Sequence, residues 1–393
     1  MPPRDANTLG SRIAAARKSR RLQQAELAGL ACVSLDAIKS IEQGRREPSE
    51  SVLESIAEAL DLDPSRLREG RRSDSRIHAA IPALRAAVDA YDLPPDGPVR
   101  DLASLRRSTA ELEAWRLASR YTSLTKVLPD RLTELNRAVQ QFTGAECIEA
   151  ARLLASVYRS ADAVVYKYTY CDLSARTVEL MRWAADRAED PVLDATASYV
   201  RMETFFSSRQ EEALATGLRM LQGAIDRAPS PGDQPTRAAV GALHMRAAVV
   251  AGRMRDEASA RTHLAYAKEL ADSVQEGIYL GTAFGPSSFR VHEVAVAVEL
   301  NDGPAVLAAA MEWKPPAELP AERRSHYYID VARAQLWQNL CADALESLQV
   351  ARRIAPQHVR EHPQVRETLR SLVRSQRSER EALLALAEWA GAT

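Results

Sequence analysis

Aromatic residues make up only 5% of this 393-residue chain, so its core must be built mainly from aliphatic and small side chains. Cysteine is equally sparse. Cys32, Cys147, Cys171 and Cys341 stand singly, without the close pairs of a zinc site or a disulfide framework, and read as reduced thiols. Long apolar runs are missing too. The richest stretches, 247–251 and 294–298, are too short and too charge-flanked to span a bilayer, and the N-terminus has no apolar signal core. A cytoplasmic location without a membrane partner is expected. Nor is there an excess of charge: with 52 basic and 53 acidic residues, attraction for a polyanion would have to come from a local patch. Catalytic sets are absent from the spacing. His78, His244, His263, His292 and His326 are dispersed, so no catalytic residue, no cofactor and no enzymatic activity are expected.

What the chain has in abundance is helical periodicity, and residues 22–49 carry it in most detail. Leu27, Ala28 and Ala31 line one face of a first helix, and a short turn beginning at Val33 closes at Ser34. Ser34 is a good N-cap for a second helix, whose buried face is Ala37, Ile38 and Ile41. Its other face is Leu35, Asp36, Lys39, Ser40 and Gln43, polar and short-chained. Gly44 suits a left-handed stop, and Pro48 prevents the helix from resuming. A further helix at 51–60 supplies Val52, Leu53, Ile56, Ala57 and Leu60 to the core. Residues 1–46 hold nine basic side chains against four acidic ones, the local patch that the whole chain lacks.

These positions resemble the XRE family of bacterial helix-turn-helix regulators, relatives of the phage lambda and Cro repressors. The resemblance covers residues 9–69 and is carried by Gln24, Leu27, Ala28, Ala31, Val33, Ser34, Ile38, Ile41, Glu42, Gly44, Pro48, Leu53, Ile56, Ala57 and Leu60. It implies a five-helix lambda-repressor-like DNA-binding domain. In that family Gln24 would touch a phosphate and brace the recognition helix, while Ser34, Leu35, Asp36, Lys39 and Ser40 would lie at the DNA, the last four facing base edges. Lys39 can donate to guanine, Asp36 can accept from cytosine, and Leu35 can pack on a thymine methyl. Gln43, Arg45 and Arg46 are better placed for phosphates. Such modules pair on two half-sites one DNA turn apart, so a homodimer on a double-stranded operator, and a nucleoid-associated protein, are expected. Two positions depart from the family: Gln23 stands where Ser or Thr usually caps the second helix, and Cys32 where the turn usually has Gly. Each departure costs about 1 kcal/mol.

Residues 68–76 break the periodicity with Gly, Ser and alternating charge, and PPDGP at 94–98 is a turn cluster. The domains expected are therefore 1–70, a linker with one helix at 71–100, and a helical sensor and dimerisation region at 101–393. In the last, Pro129, Pro191, Pro229, Pro304, Pro320, Pro356, Pro363 and others punctuate helices of 15 to 20 residues. Ala344, Leu348 and Ala351, with Ala332 upstream, fall at tetratricopeptide spacing; so do Ala260, Leu264 and Ala267 with Ala248, and more loosely Ala213, Gly217 and Met220. The fold expected is all-α, a DNA-binding head followed by a tetratricopeptide-like α-solenoid. The two parts together resemble an XRE head with a tetratricopeptide-like tail, also in TAFGP at 282–286, LPAERR at 319–324, IDVARA at 329–334 and HPQVRE at 362–367. A peptide, small molecule or protein is the implied effector, with Tyr166, Tyr170, Arg201 and Asn339 as ligand candidates. A protein-interaction scaffold or antitoxin-like binder is the alternative.

Three further signals read as structural. HVREH at 358–362 has the H-x-x-E-H arrangement of inverted zinc peptidases, but Pro356 and Pro363 leave fewer than two helical turns and no third ligand is apparent, so no metal is expected. GTAFGPSS at 281–288 lacks the Lys of a phosphate loop and reads as a helix break. Tyr166, Tyr168 and Tyr170 read first as packing anchors. A terminal helix at 379–389 caps the solenoid or joins two subunits.

Overall fold

The computed structural model describes residues 9–20, 22–60, 67, 75–206, 211–375 and 380–392. Met1–Arg76 and Ile77–Thr393 form two compact units.

In the first unit, α1 (Leu9–Ser19), α2 (Gln24–Leu30), α3 (Leu35–Glu42) and α4 (Glu50–Ala59) enclose Ile13, Leu27, Ile38, Ile41, Leu53, Ile56 and Leu60. The second and third helices begin and end for local reasons. Ser34 Oγ accepts from the Ala37 N–H at 3.1 Å, which starts α3. Gly44, at φ 70°, stops it. There the Arg45 N–H reaches the Ser40 carbonyl and the Gly44 N–H the Ile41 carbonyl, both at 2.9 Å. The same pair of bonds closes α2 around Cys32, which sits at φ 51°. Cys32→Gly is therefore expected to raise the melting stability of this unit by about 1 kcal/mol, because a side chain is strained in the left-handed region. The missing Ser/Thr cap at Gln23 is compensated in part: the Glu26 carboxylate accepts from the Gln23 N–H at 2.6 Å. Ala37, expected on the buried face, is half-buried. The fifth helix expected lies mostly outside the described residues, but Leu67 is helical and buried, and its carbonyl accepts from Arg12 at 2.7 Å. The expected break at 68–76 is also largely outside them.

The second unit is a succession of helices: α5 (Ser75–Asp89), α6 (Leu102–Leu117), α7 (Tyr121–Gln141), α8 (Gly144–Lys167), α9 (Cys171–Arg187), α10 (Pro191–Phe206), α11 (Glu211–Arg227), α12 (Gln234–Arg253) and α13 (Glu257–Asp272). After a hairpin of β1 (Gly277–Tyr279) and β2 (Thr282–Phe284) come α14 (Pro286–Glu299), α15 (Gly303–Glu312), α16 (Ala321–Trp337), α17 (Cys341–Ile354), α18 (Pro356–Glu361), α19 (Pro363–Ser375) and α20 (Arg380–Ala390). Neighbouring helices pack as antiparallel pairs, and the small residues read from the sequence sit between them: Ala248, Ala260 and Ala267 in α12/α13, and Ala332, Ala344 and Ala351 in α16/α17, are fully buried. Gly217 leaves room for Met202, whose sulfur would lie 2.5 Å from a Cβ there.

Three expectations change. The helix of the 71–100 segment is not a free linker element: Ile77, Ile81, Leu84 and Val88 of α5 join the core shared by α7 to α10. Pro129 does not end a helix but lies inside α7. Several turns are set instead by one residue at positive φ: Ser119, Thr169, Arg255, Asn301 and Asn339 each close a three-residue connection with the bonds seen at Gly44. Finally, the region is not wholly helical. Leu280 and Gly281, both at positive φ, make the tight turn of the β1–β2 hairpin. Glu276 then caps α14 by accepting from the Ser287 and Ser288 N–H groups at 2.7 and 3.0 Å. This explains GTAFGPSS without a bound phosphate.

Candidate nucleic-acid interface and polar seam

The helix α3 is held rigidly from behind. Glu42, at its last turn, accepts from Arg17 Nε and Nη2 at 2.7 and 2.9 Å and from Gln24 Nε2 at 2.7 Å. Arg17 Nη1 also donates to the Leu22 carbonyl at 2.7 Å. The triad thus ties α1, the start of α2 and the end of α3 together. Burial raises the Glu42 carboxyl, but the hydrogen bonds from Arg17 and Gln24 outweigh it and hold the group below its ordinary value. Gln24, expected to brace the recognition helix, meets its last turn through this bond to Glu42. In the sequence Arg17 is legible only as a positive charge. Its partner is 25 residues away, and no local pattern joins them.

With its back fixed, α3 presents Asp36, Lys39 and Gln43 as exposed residues and Leu35 and Ser40 as half-buried ones. Arg45 and Arg46 follow, both exposed. Among the described residues, the side chains of Lys39, Arg45 and Arg46 have no hydrogen-bond or ion-pair partner. Ser34 is different, since its hydroxyl is occupied as the cap. The contact of α1 with α3 leaves no spare room: a Cβ on Gly10 would lie 2.0 Å from the Ile41 carbonyl oxygen.

In the second unit a line of ionisable side chains runs across alternate helices. Arg116 (α6) donates to the Gly281 carbonyl at 2.8 Å and Arg159 (α8) to the Leu280 carbonyl at 2.7 Å, so two arginines grip the main chain of the hairpin tip. Arg323 (α16) donates to the Tyr199 hydroxyl (α10) at 2.7 Å and lies 3.1 Å from His292 Nε2 (α14). Arg246 (α12) stacks over Tyr199 at 4.0 Å and pairs with Glu203. Burial and the like charge of Arg116 pull Arg159 down to about 9, and burial lifts Asp330 to about 6 against the pull of Arg333. The Nε atoms of Arg116 and Arg246 are buried without a hydrogen-bond partner. The stretches LPAERR and IDVARA supply Glu322, Arg323, Asp330 and Arg333 of this seam.

The ligand candidates separate. Tyr166 is raised by burial and by Glu203, which places it beside the seam. Tyr170 instead lies 2.6 Å from His78 Nδ1, and Tyr168 packs edge-on against His78 and Tyr121. Arg201 pairs with Glu179 at 3.5 Å. Asn339 is the turn residue between α16 and α17. The reading of HVREH needs correction: His358 and His362 are brought against a third imidazole, His326 of α16. Sequence spacing hid it because helix packing, not chain proximity, makes the contact.

Acid separates the two units. Burial and neighbouring His263 push His244 down to about 4, and burial and Arg323 hold His292 well below its ordinary value. The unfolded chain then takes the proton first, so the stabilisation from both is complete above pH 6.5 and declines as pH falls, that of His244 down to about 4. At pH 5 His244 alone removes about 2 kcal/mol. Glu42 acts lower, its contribution being lost only below about 4.5. Hydrogen exchange against pH should show α12 to α14 weakening before α1 to α4; the reverse order would contradict these assignments.

The fold and the site define a helix-turn-helix domain followed by a tetratricopeptide-like helical array. Residues 8–70 match the family model described as a helix-turn-helix domain. No curated protein matches the chain. Among solved structures the chain is similar to Bacillus thuringiensis PlcR in complex with the peptide PapR7 and DNA, at 15% identity and a TM-score of 0.29 over 68% of this chain and 95% of that one. An overlap that loose transfers no residue roles. No helix among the described residues is long and apolar enough to cross a membrane.

Proposed function

We propose that this protein is a cytoplasmic, sequence-specific DNA-binding transcriptional regulator that acts as a homodimer, with the polar seam of the array receiving its effector. The observation that carries the first part is the contrast between the two sides of α3: Glu42 is locked to Arg17 and Gln24, while Lys39, and Arg45 and Arg46 just after the helix, are exposed and unpartnered among the described residues. A rigid helix with free donors and cations is what a major-groove reader requires. Lys39, Ser40, Asp36 and Leu35 would read bases, and Gln43, Arg45 and Arg46 would hold phosphates. For the second part, Arg116 and Arg159 already bind main-chain carbonyls. An effector rich in carbonyl or carboxylate groups, such as a peptide, suits the same donors. Arg116 and Tyr166 would be among its contacts.

The electrostatic half of this reading is tested by titrating the full-length protein with genomic duplex fragments at rising salt. Affinity is expected to fall steeply, and Arg45→Ala/Arg46→Ala to reduce the slope of log affinity against log salt by about 2. A slope unchanged by that variant would remove both arginines from the interface.

A further inference from the structure

His326 on α16 and His358 and His362 around α18 place one imidazole nitrogen each within 4.8 Å of one another. Their ring centroids are 4.8 to 5.4 Å apart. His358 is fully buried, with neither ring nitrogen hydrogen-bonded, and His362 Nδ1 is likewise buried without a partner. Buried polar atoms are normally satisfied, so three orphaned nitrogens in one cluster ask for a missing partner. Ordinary packing does not supply it. The helix α18 is only six residues long and ends just before His362, yet the His358 and His362 rings lie 5.4 Å apart, and His326 comes from the helix packed against it. Lys167 of α8 and Glu322, one turn before His326, lie close enough to act on the cluster with opposite charges. The Glu361 carboxylate is engaged by Arg366 at 2.9 Å and is not a ligand.

We propose that His326, His358 and His362 form a three-imidazole site for a divalent transition-metal ion of the zinc class, which fastens α18 and the start of α19 to α16. Neutral imidazole suits zinc, cobalt, nickel and copper; calcium and magnesium, which take oxygen ligands, are excluded by the donor set. Three protein ligands leave one coordination position for water or an anionic group. Binding at this site does not depend on the DNA-binding reading.

The test uses the full-length protein, stripped with chelator and titrated with Co²⁺ and then Zn²⁺. One Co²⁺ per chain is expected, with the visible bands of a tetrahedral site and without a thiolate charge-transfer band, displaced by one Zn²⁺ and accompanied by a higher melting temperature. His326→Ala should weaken binding by more than the roughly 10–100-fold that loss of an outer partner costs. His244→Ala/His263→Ala, which removes the other close histidine pair, should leave it intact. Circular dichroism of the metal-free variants checks folding, and His362→Gln replaces His326→Ala should the latter not fold. A wild type that gives no tetrahedral cobalt spectrum, a spectrum that survives His326→Ala, or one lost with His244 and His263 would overturn the site.

Discussion

Glu42→Ala is expected to destabilise the N-terminal unit by about 3–5 kcal/mol, the cost of leaving a buried charge without its partner. Arg17 and Glu42 expose only 9% and 6% of their side chains, so water cannot replace the lost carboxylate. The substitution also strips Gln24 of its acceptor. A core of this size rarely supplies more than about 3–5 kcal/mol, so the unit should unfold in an otherwise intact chain. Hydrogen exchange would show this as loss of protection in α1 to α4 with the helical array unchanged. Arg17→Met/Glu42→Leu should keep most of the stability, because removing both charges removes the desolvation penalty with the attraction. A Glu42→Ala effect under about 1 kcal/mol would mean that the pair is dispensable.

Lys39→Ala/Ser40→Ala should have the second large effect, and on recognition instead of folding. Lys39 is exposed and Ser40 half-buried on α3, opposite the buried Ile38 and Ile41, so the fold should tolerate both changes. Each good base contact is worth about 1–3 kcal/mol of discrimination. The double variant is therefore expected to lose about 2–6 kcal/mol at the preferred site and little on random duplex. Competition of labelled site against random fragments reads the difference. Equal losses on both would make these residues backbone contacts.

How far the sequence carried depended on whether the responsible residues are neighbours in the chain. Ser34 as cap, Gly44 as stop and Cys32 in the left-handed turn were all legible, because each acts within five residues. The alanine pattern located the pairs α12/α13 and α16/α17 because the two helices of each pair follow one another in the chain. The Arg17–Glu42 pair was not legible, nor was the meeting of His326 with His358 and His362, since both depend on how helices pack. Proline marks helix starts at Pro191, Pro304, Pro320, Pro356 and Pro363, but not the residues that close the turns of the array. Their left-handed residues are Ser, Thr and Arg as well as Asn, and of these only Asn shares glycine's tolerance of that region. The hairpin escaped because three-residue strands leave too little alternation to see.

The most direct measurement is selection of bound fragments from sheared genomic DNA at near-physiological salt, with wild type beside Lys39→Ala/Ser40→Ala/Arg45→Ala. A dimeric regulator reading DNA through α3 should enrich an inverted repeat with half-sites about 10 base pairs apart, and the variant should not. No enrichment by wild type, or the same site enriched equally by the variant, would contradict the account.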